Sequence, residues 1–541
     1  MVASLSPSSR YRSIASKRSI LGQPSYIDGF FRNHRLARCP SKNPSKSSKN
    51  VLRETASGLL DRTLGRFLKS LRSGGQGEIP LLDRVHPDLD DPSDQEHLRK
   101  RVDACIEGRG GEVSARAQAA ALGEMYLALK RAGRVRFLRM LEEEYDTDPQ
   151  AIGEAIDAFR PTLATIDPEH GSEKERRAHR IALDHLRRAL IPRRLRLFKR
   201  FNGLNGGVKF LVDLRADALD AKREHPDLIG VDEDLRALLA SWFDPGFLKL
   251  RRITWESPAF VLEKLIGYEA VHEIRSWDDL KNRLEPDRRC YAFFHPNMHA
   301  EPLIFVQVAL VRGMSSSVQA LLDPTAPLED PLAADCAIFY SISNCQRGLS
   351  GVSFGNFLIK QVATDIARDL PDIKTFATLS PMPDFRSWLD ARLEEEEGLL
   401  DPAQATTILE LADNPDGIPA GSALRTLLDR PHWNEDADLT NALRPILLHL
   451  AARFLSETSS STAQRGKRSL DRVAHFHLDN GARIERINWL GDISKRGLEQ
   501  SAGIMVNYRY VLEDVEDNHE RYCATGEAPI SMEVKRLAKR K

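Results

Sequence analysis

The sequence lacks the marks of several large protein classes. Its six cysteines include no Cys-x-x-Cys pair, which argues against zinc-ribbon and thioredoxin-type sites and fits a reducing compartment. No apolar run approaches the roughly 20 residues that a membrane-spanning helix needs. The longest, residues 303–311, contains Gln307 and predicts a buried strand instead. We therefore expect no membrane helix and no secretory signal.

Net charge is missing too, because 78 Lys and Arg balance 78 Asp and Glu. This balance argues against a nucleic-acid partner, which usually requires a strongly basic domain. The balance hides an asymmetry, since residues 1–50 carry ten basic residues and one acid. We interpret residues 1–50 as a disordered basic, Ser-rich segment, a misassigned start or a mitochondrial transit peptide. The first two predict a cytoplasmic protein, our first expectation, and the third predicts the mitochondrial matrix.

The spacing of apolar residues divides the chain and predicts an α+β fold class. In residues 51–205 apolar residues recur every three or four positions, which indicates an N-terminal helical bundle. Residues 206–541 predict a mixed α/β catalytic domain with a helical insertion at about 390–470. Its expected strands are residues 303–311, 337–343, 373–379 and 503–512, with a hairpin at 473–489 turned by Asn480-Gly481.

The loop at residues 344–351 is the first candidate for chemistry. It carries Gly348 and Gly351 and leads from a predicted strand into a predicted helix. The backbone N–H groups at a helix N-terminus attract anions, and Arg347 and Lys360 are nearby cations. The spacing matches neither the Walker loop nor the dinucleotide fingerprint, so a glycine turn without a ligand is equally open.

Ser380 and two histidines are the other candidates. Ser380 follows a strand and precedes Pro381, without a Gly-x-Ser-x-Gly elbow, so it could be a turn residue or a catalytic one. On a strand, His475 and His477 would point the same way and could supply a proton or bind a metal. Further possible ligands are His295, His299 and Glu301, but Pro296 disrupts a helical pair there, and we expect no metal site.

A set of short motifs closely resembles the malonyl-CoA decarboxylase family, in family order over roughly residues 200–515. They are His295-Pro296-Asn297-Met298, Glu301-Pro302-Leu303, Phe339-Tyr340-Ser341-Ile342-Ser343, Gly348-Leu349-x-Gly351-Val352, Phe357-Leu358-Ile359-Lys360, Leu379-Ser380-Pro381-x-Pro383-x-Phe385, Phe476-His477-Leu478-x-Asn480-Gly481-Ala482, Arg486-Ile487-Asn488-Trp489 and Asn507-Tyr508-Arg509-Tyr510. The helical half is similar in kind to the family's N-terminal bundle.

The resemblance implies a lyase without a cofactor that converts malonyl-CoA to acetyl-CoA and CO2, assembled as a homotetramer. It also implies a catalytic domain similar to GNAT-type acetyltransferases. It gives Ser380 the role of proton acceptor and His477 that of proton donor, with Ser341 and Tyr510 lining the site. The CoA-binding loop falls on Ser350, Gly351, Val352, Ser353, Phe354, Gly355 and Asn356. Gly348 and Ser353 depart from the usual acetyltransferase signature, which leaves the phosphate contacts open.

The implied chemistry suits these residue types. Loss of CO2 leaves a thioester enolate, which needs a hydrogen-bond donor at its oxygen and a proton at C2. Ser380 could instead orient the malonyl carboxylate, because an unassisted serine is a weak base. The rival functions are a GNAT-type acyl-CoA-dependent acyltransferase and a non-catalytic sensor of CoA esters.

Overall fold

The computed structural model describes residues 89, 92–108, 111–165, 172–298, 300–352, 358–395, 398–413, 417–460 and 467–539. All of these belong to one compact unit, Leu59–Lys541. The predictions for residues 1–50, for the first helix of the bundle and for residues 353–357 lie outside the described residues.

Helices fill the described chain up to Trp242 and alternate with strands after it. They are α1 (Pro92–Glu107), α2 (Gly111–Ala128), α3 (Arg131–Glu144), α4 (Pro149–Thr165), α5 (Glu173–Ala189), α6 (Arg193–Asn202), α7 (Gly207–Ala221), α8 (Ile229–Trp242), α9 (Ala259–Tyr268), α10 (Trp277–Asn282), α11 (Val318–Leu321), α12 (Leu358–Asp369), α13 (Phe385–Glu395), α14 (Pro402–Leu411), α15 (Ala420–Asp429), α16 (Ala437–Ser456), α17 (Arg472–Asp479), α18 (Lys495–Ser501), α19 (Val515–Thr525) and α20 (Met532–Lys539). Helices α13 to α16 lie in and next to residues 390–470, where the sequence predicts a helical insertion.

The helical region continues past residue 205, where the sequence analysis ended it. The Gly-rich stretch at residues 203–207 is a turn between α6 and α7, with Gly206 in the left-handed region at φ 76°. Two more helices, α7 and α8, follow before the first strand begins at Lys249. Glycine marks a break in a helix, but it does not by itself mark the end of a helical domain.

Eight strands of the described residues form one mixed sheet. They are β1 (Lys249–Ile253), β2 (Arg288–Phe294), β3 (Pro302–Val311), β4 (Cys336–Asn344), β5 (Thr375–Thr378), β6 (Ser380–Pro381), β9 (Arg483–Asn488) and β10 (Met505–Tyr510), while β7 (Thr458–Ser460) and β8 (Lys467–Ser469) form a separate hairpin. Strands β3, β4, β5 and β10 confirm the four predicted strands. The order is β1-β2-β3-β4-β5-β10-β6, with β9 also paired to β10.

Strands β4 and β5 pair in parallel, and α12 connects them. Their ladder covers Cys336 to Phe339 of β4, whereas β4 itself runs on to Asn344, paired there only with β3 among the described strands. The described part of the sheet is therefore open beside the end of β4. Ligands of open sheets bind at such carboxyl ends.

The predicted hairpin at residues 473–489 is wrong in its first half, because α17 covers Arg472–Asp479. Asp471 caps this helix by accepting from the N–H groups of Val473 and Ala474. Gly481, at φ 77°, ends it in the left-handed conformation. Asn-Gly is common both in hairpin turns and at the ends of helices. Here the cap from Asp471 favours a helix that ends at Asn-Gly.

Candidate active site

Ser380 begins β6, immediately after Leu379, the one residue that separates β5 from β6. Both strands pair with β10, and Ser380 lies opposite Val506. Its Oγ donates a hydrogen bond of 2.9 Å to Oγ1 of Thr378, two residues earlier. Thr378 Oγ1 also accepts from the backbone N–H of Tyr508 at 3.2 Å. The serine hydroxyl is therefore held in one orientation by the end of β5.

His477 approaches Ser380 from α17. Its Nε2 lies 2.9 Å from Ser380 Oγ, although 97 residues separate the two in sequence. The exposed fraction is 2 % for His477 and 7 % for Ser380, so the serine is the more accessible of the pair. The two residues that the family resemblance singled out are in direct contact.

Tyr510, at the end of β10, completes a chain of hydrogen bonds. Its hydroxyl lies 2.8 Å from Nδ1 of His477. Because Ser380 donates to Thr378, its oxygen is free to accept from Nε2–H of His477, and Nδ1 then accepts from the Tyr510 hydroxyl. This pattern selects one tautomer of the histidine, with the proton on Nε2.

Burial sets the charge state of this chain. It lowers the pKa of His477 to about 3, so the imidazole is neutral at physiological pH. Burial also raises the pKa of the Tyr510 hydroxyl well above its usual value. The ring of Tyr508 stacks on His477 with 4.5 Å between ring centroids. The site is therefore a neutral donor system inside an apolar wall.

Asp471 is a carboxylate near this wall. It is fully buried, and burial raises its pKa to about 6 although three backbone N–H groups lower it. After burial, its charge is the next cause that raises the pKa of Tyr508, whose ring stacks on His477. Asp471 thus combines the capping of α17 with an electrostatic influence on the site.

Ser341 lies on β4, whereas Ser380 lies on β6, and β5 and β10 stand between these two strands in the sheet order. Its Oγ donates to both oxygens of Glu269, at 2.7 and 2.8 Å. Gln307 Nε2 donates to the same carboxylate at 2.8 Å, as do the N–H groups of Val271 and His272 at 2.9 and 3.0 Å. Ser341 is therefore part of a polar cluster around Glu269, and it makes no hydrogen bond to Ser380 or His477.

The glycine-bearing loop is anchored on helix α7 of the helical region. Arg215 donates 2.7 Å bonds to the carbonyls of Gly348 and Ser350. A side chain at Gly348 would collide with the backbone carbonyl of Val212, so only glycine fits there. Gly351 has φ 72° and open space around its Cα, and Val352 is buried beside it. The remaining loop positions, Ser353, Phe354, Gly355 and Asn356, lie outside the described residues.

The cations expected to assist this loop are engaged in ion pairs. Arg347 pairs with Asp220, and Lys360 lies 2.6 Å from Glu516. Both pairs are partly exposed, so an anion could compete for either cation.

The histidines considered as metal ligands are dispersed. On α17, His475 and His477 are two residues apart and so point about 200° apart rather than the same way; His475 lies 2.9 Å from the Tyr522 hydroxyl. Nε2 of His295 bonds to the Trp242 carbonyl, and its Nδ1 accepts from Asn297. Glu301 is paired with Lys264, and His299 lies outside the described residues.

Sequence reasoning missed Thr378, Glu269 and Arg215. Thr378 had a signal, since it shares a strand end with Ser380 and side chains two residues apart in a strand share a face. Glu269 and Arg215 act over 72 and 133 residues, respectively, and no local pattern predicts such pairs.

Family models match most of the described chain. Residues 145–243 match the malonyl-CoA decarboxylase N-terminal domain, and residues 246–541 match the malonyl-CoA decarboxylase C-terminal domain. The mitochondrial malonyl-CoA decarboxylase of Anser anser anser is 40 % identical over 374 residues, which are 67 % of this chain and 72 % of the relative. For the Rattus norvegicus enzyme the identity is 39 % over 362 residues, covering 65 % and 72 %.

Solved structures agree with these relatives. The crystal structure of malonyl-CoA decarboxylase from Rhodopseudomonas palustris superposes with a TM-score of 0.71 at 42 % identity, covering 82 % of this chain and 99 % of that one. The Agrobacterium vitis structure gives a TM-score of 0.69 at 41 % identity, covering 82 % and 100 %.

Proposed function

The chain belongs to the malonyl-CoA decarboxylase family, and from this premise we propose how it converts malonyl-CoA to acetyl-CoA and CO2. The observation that carries the proposal is the buried chain Thr378–Ser380–His477–Tyr510, joined by bonds of 2.8 to 2.9 Å. The reaction needs a donor for a developing enolate and a proton for C2, and this chain is built from neutral donors.

In this proposal Ser380 contacts the substrate, and His477 exchanges a proton with Ser380. When CO2 leaves, the electron pair of the broken bond is delocalised on the thioester as an enolate, a base strong enough to take a proton from a neutral hydroxyl. Ser380 O–H gives its proton to C2 and accepts the Nε2 proton of His477, which fits both predicted roles. As Nε2 loses its proton, Nδ1 takes the proton of the Tyr510 hydroxyl, so the imidazole stays neutral. One proton from solvent per turnover then restores the resting chain and balances the proton gained by C2.

A neutral site also favours loss of CO2. The malonyl carboxylate, next to Ser380 and the Tyr508–His477 wall, would meet hydroxyl groups and rings rather than a cation. Poor solvation of the carboxylate favours departure of neutral CO2. Ser380 can hydrogen-bond the carboxylate before it takes part in proton transfer.

The CoA portion is proposed to lie at the opening between β4 and β5. Support comes from the parallel β4–α12–β5 unit and from the loop that precedes α12. Loop residues Ser350, Gly351 and Val352, continued by 353–356, would present N–H groups to the pyrophosphate, as in the GNAT-like arrangement implied by the resemblance. Arg215 would hold this loop in place by its hydrogen bonds to the carbonyls of Gly348 and Ser350.

Self-association is proposed to use helices α4 and α5. Large apolar side chains are exposed along this helix pair and the turn after it, namely Ile156, Leu163, Ile181, Leu190 and Ile191. Contiguous exposed apolar surface marks interaction sites. A homotetramer, as the resemblance implies, would cover it. Leu163→Glu should lower the mass measured by sedimentation equilibrium, and an unchanged mass would exclude this surface.

The proposed subcellular location depends on residues 1–50. The relatives in goose and rat are described as mitochondrial, and an Arg- and Ser-rich, acid-poor segment has the composition of a transit peptide. These facts favour the matrix over the cytoplasm, our first expectation. Fusing residues 1–50 to a fluorescent protein tests this, since cytosolic fluorescence would reject the matrix. No helix among the described residues is long and apolar enough to cross a membrane.

The activity itself is tested with the purified full-length chain and malonyl-CoA. Acetyl-CoA and CO2 should form in equal amounts, and in D2O the acetyl group should carry one deuterium at C2. Ser380→Ala, prepared in parallel, controls for contaminating enzymes. A folded wild-type chain that binds malonyl-CoA without turnover would favour the sensor, and faster acyl transfer to an amine would favour the acyltransferase.

A further inference from the structure

Three potential metal ligands meet where α17 ends against α19. Asp479 is the last residue of α17, and His519 and Cys523 lie one turn apart on α19. Each of the three has a donor atom within 4.8 Å of those of the other two. Residues four apart on a helix point the same way, so the histidine and the cysteine share one face of α19.

The distances suit a tetrahedral ion. Cys523 Sγ lies 3.5 Å from Asp479 Oδ1, 3.6 Å from His519 Nδ1 and 3.8 Å from His519 Nε2. Bonds of about 2.0 Å to N and O and about 2.3 Å to S, at tetrahedral angles, place donors roughly 3.3 to 3.6 Å apart. The three donor atoms lie within 4.8 Å of one another, so rotation of the side chains would bring them onto one ion.

A backbone contact selects the nitrogen of His519 that would bind the ion. Nδ1 lies 2.5 Å from the backbone carbonyl of Asp479 and donates to it, so Nε2 is the basic nitrogen of the ring. Ligating histidines commonly make this second bond to a carbonyl. The helices are also fixed relative to each other, because Asn518 Nδ2 donates to the Gly481 carbonyl at 3.3 Å and Gly481 lies against the Val515 carbonyl.

The local charge favours a cation. The C-terminal end of α17 carries the negative end of the helix dipole, and the Asp479 carboxylate adds to it. Burial and the Asp479 carboxylate raise the pKa of the Cys523 thiol, and Arg468 opposes them only in part, so the ion itself must displace the thiol proton. A mixed N, O and S donor set selects Zn²⁺ over Mg²⁺ and Ca²⁺, which prefer oxygen alone.

We propose that Asp479, His519 and Cys523 form a Zn²⁺ site, with water as the fourth ligand. Binding forms a Zn–S bond and releases the thiol proton of Cys523 to solvent. The ion would tie α19 to the end of α17, two residues after His477. Since it binds the folded chain, it should raise the thermal unfolding midpoint.

Cobalt is the probe for the test, because a thiolate–Co²⁺ bond absorbs in the near ultraviolet. The metal-free, full-length chain is titrated with Co²⁺, and Zn²⁺ is then added to displace it. We expect one ion per chain, loss of the near-ultraviolet band in Cys523→Ser, and at least about tenfold weaker binding in His519→Ala. His432→Ala is the matched control, because His432 is exposed and pairs with Glu435 instead.

Two results would overturn the proposal. One is a cobalt band that persists in Cys523→Ser, which would assign the ion to another cysteine; the other is no saturable binding at millimolar metal. Thermal unfolding is the second readout: Zn²⁺ should raise the midpoint of wild type and of His432→Ala but not of Cys523→Ser. Circular dichroism and decarboxylation without metal verify that each variant is folded.

Discussion

The Tyr510 hydroxyl lies 2.8 Å from Nδ1 of His477, while the hydroxyl of Tyr508, whose ring stacks on the same histidine, has no hydrogen-bond partner among the described residues. The two tyrosines stand two residues apart on β10, and both are buried. One therefore fixes the tautomer of the histidine, and the other supplies an apolar wall.

This difference gives a matched pair of variants. Tyr510→Phe removes the bond to Nδ1, so the histidine can lose the Nε2–H tautomer, and kcat should fall about tenfold or more with little change in KM. Tyr508→Phe keeps the stacked ring and removes only an unsatisfied hydroxyl, so its kcat should match wild type. Steady-state kinetics of both variants provides the comparison, and equal losses would refute the assignment of the tautomer to Tyr510.

Thr378 is expected to orient Ser380. Thr378→Val keeps the shape of the side chain but removes Oγ1, the acceptor of the Ser380 hydroxyl, and kcat should fall roughly fivefold to tenfold for the loss of one hydrogen bond. Thr378→Ser restores an acceptor and should recover most of the rate. If the valine and serine variants have the same kcat, the hydroxyl of Thr378 has no role in positioning Ser380.

The pH dependence of the rate follows from the buried histidine. Because the pKa of His477 is lowered to about 3, kcat should show no step near 6.5, the ordinary histidine value. The profile is measured in wild type and in Asp471→Asn, since the pKa of Asp471 is raised to about 6 and could add a step of its own. A step near 6.5 in both proteins would show that His477 titrates normally.

The same histidine makes the fold sensitive to acid. In the unfolded chain His477 takes a proton near pH 6.5, whereas the folded chain resists this until about pH 3. Its contribution to stability is complete above pH 6.5 and is lost as the pH falls toward 3. In urea unfolding, His477→Gln should therefore lose less stability than wild type between about pH 7 and pH 4. An equal loss would contradict the depressed pKa.

Asp471 has the opposite dependence. Its raised pKa means that the folded chain holds the proton more tightly than the unfolded chain, so stability falls as the pH rises from about 4 through about 6. Asp471→Asn keeps the helix cap and removes the charge, and its stability relative to wild type should grow over that range. Asp471→Ala loses the cap as well, at a cost of about 1 kcal/mol. Urea titrations at several pH values separate the two effects.

The extended parts of the fold were predictable where one pattern dominated. Strands β3 and β4 are buried on nearly every residue and appear in the sequence as continuous apolar runs. Helix α17 could not be predicted in this way, because His475, Phe476 and His477 alternate between polar and apolar as they would in a strand. Asp471 accepts hydrogen bonds from the first N–H groups of this helix and so stabilises the helical conformation. The sequence pattern alone does not show where that side chain points.

The site was predictable only through the resemblance. Local patterns offered Ser380 and His477 only as two candidates among several, and the family motifs gave them their roles. Their contact at 2.9 Å spans 97 residues, beyond any local pattern. Ser341 was named in the same way, but its bonds run to Glu269, so its place at the substrate stays a prediction. Residues 353–356 of the CoA-binding loop also stay predictions, because they lie outside the described residues.

The central claim is that Ser380 and His477 act as one unit on malonyl-CoA. A double-mutant cycle tests it: single-turnover acetyl-CoA formation is measured for Ser380→Ala, His477→Ala and the double variant, each saturated with malonyl-CoA. Each single variant should be slower by about a hundredfold or more, with binding of the CoA ester largely retained, and the double variant should be little slower than either. Losses that multiply, or a wild-type rate in either single variant, would contradict the account.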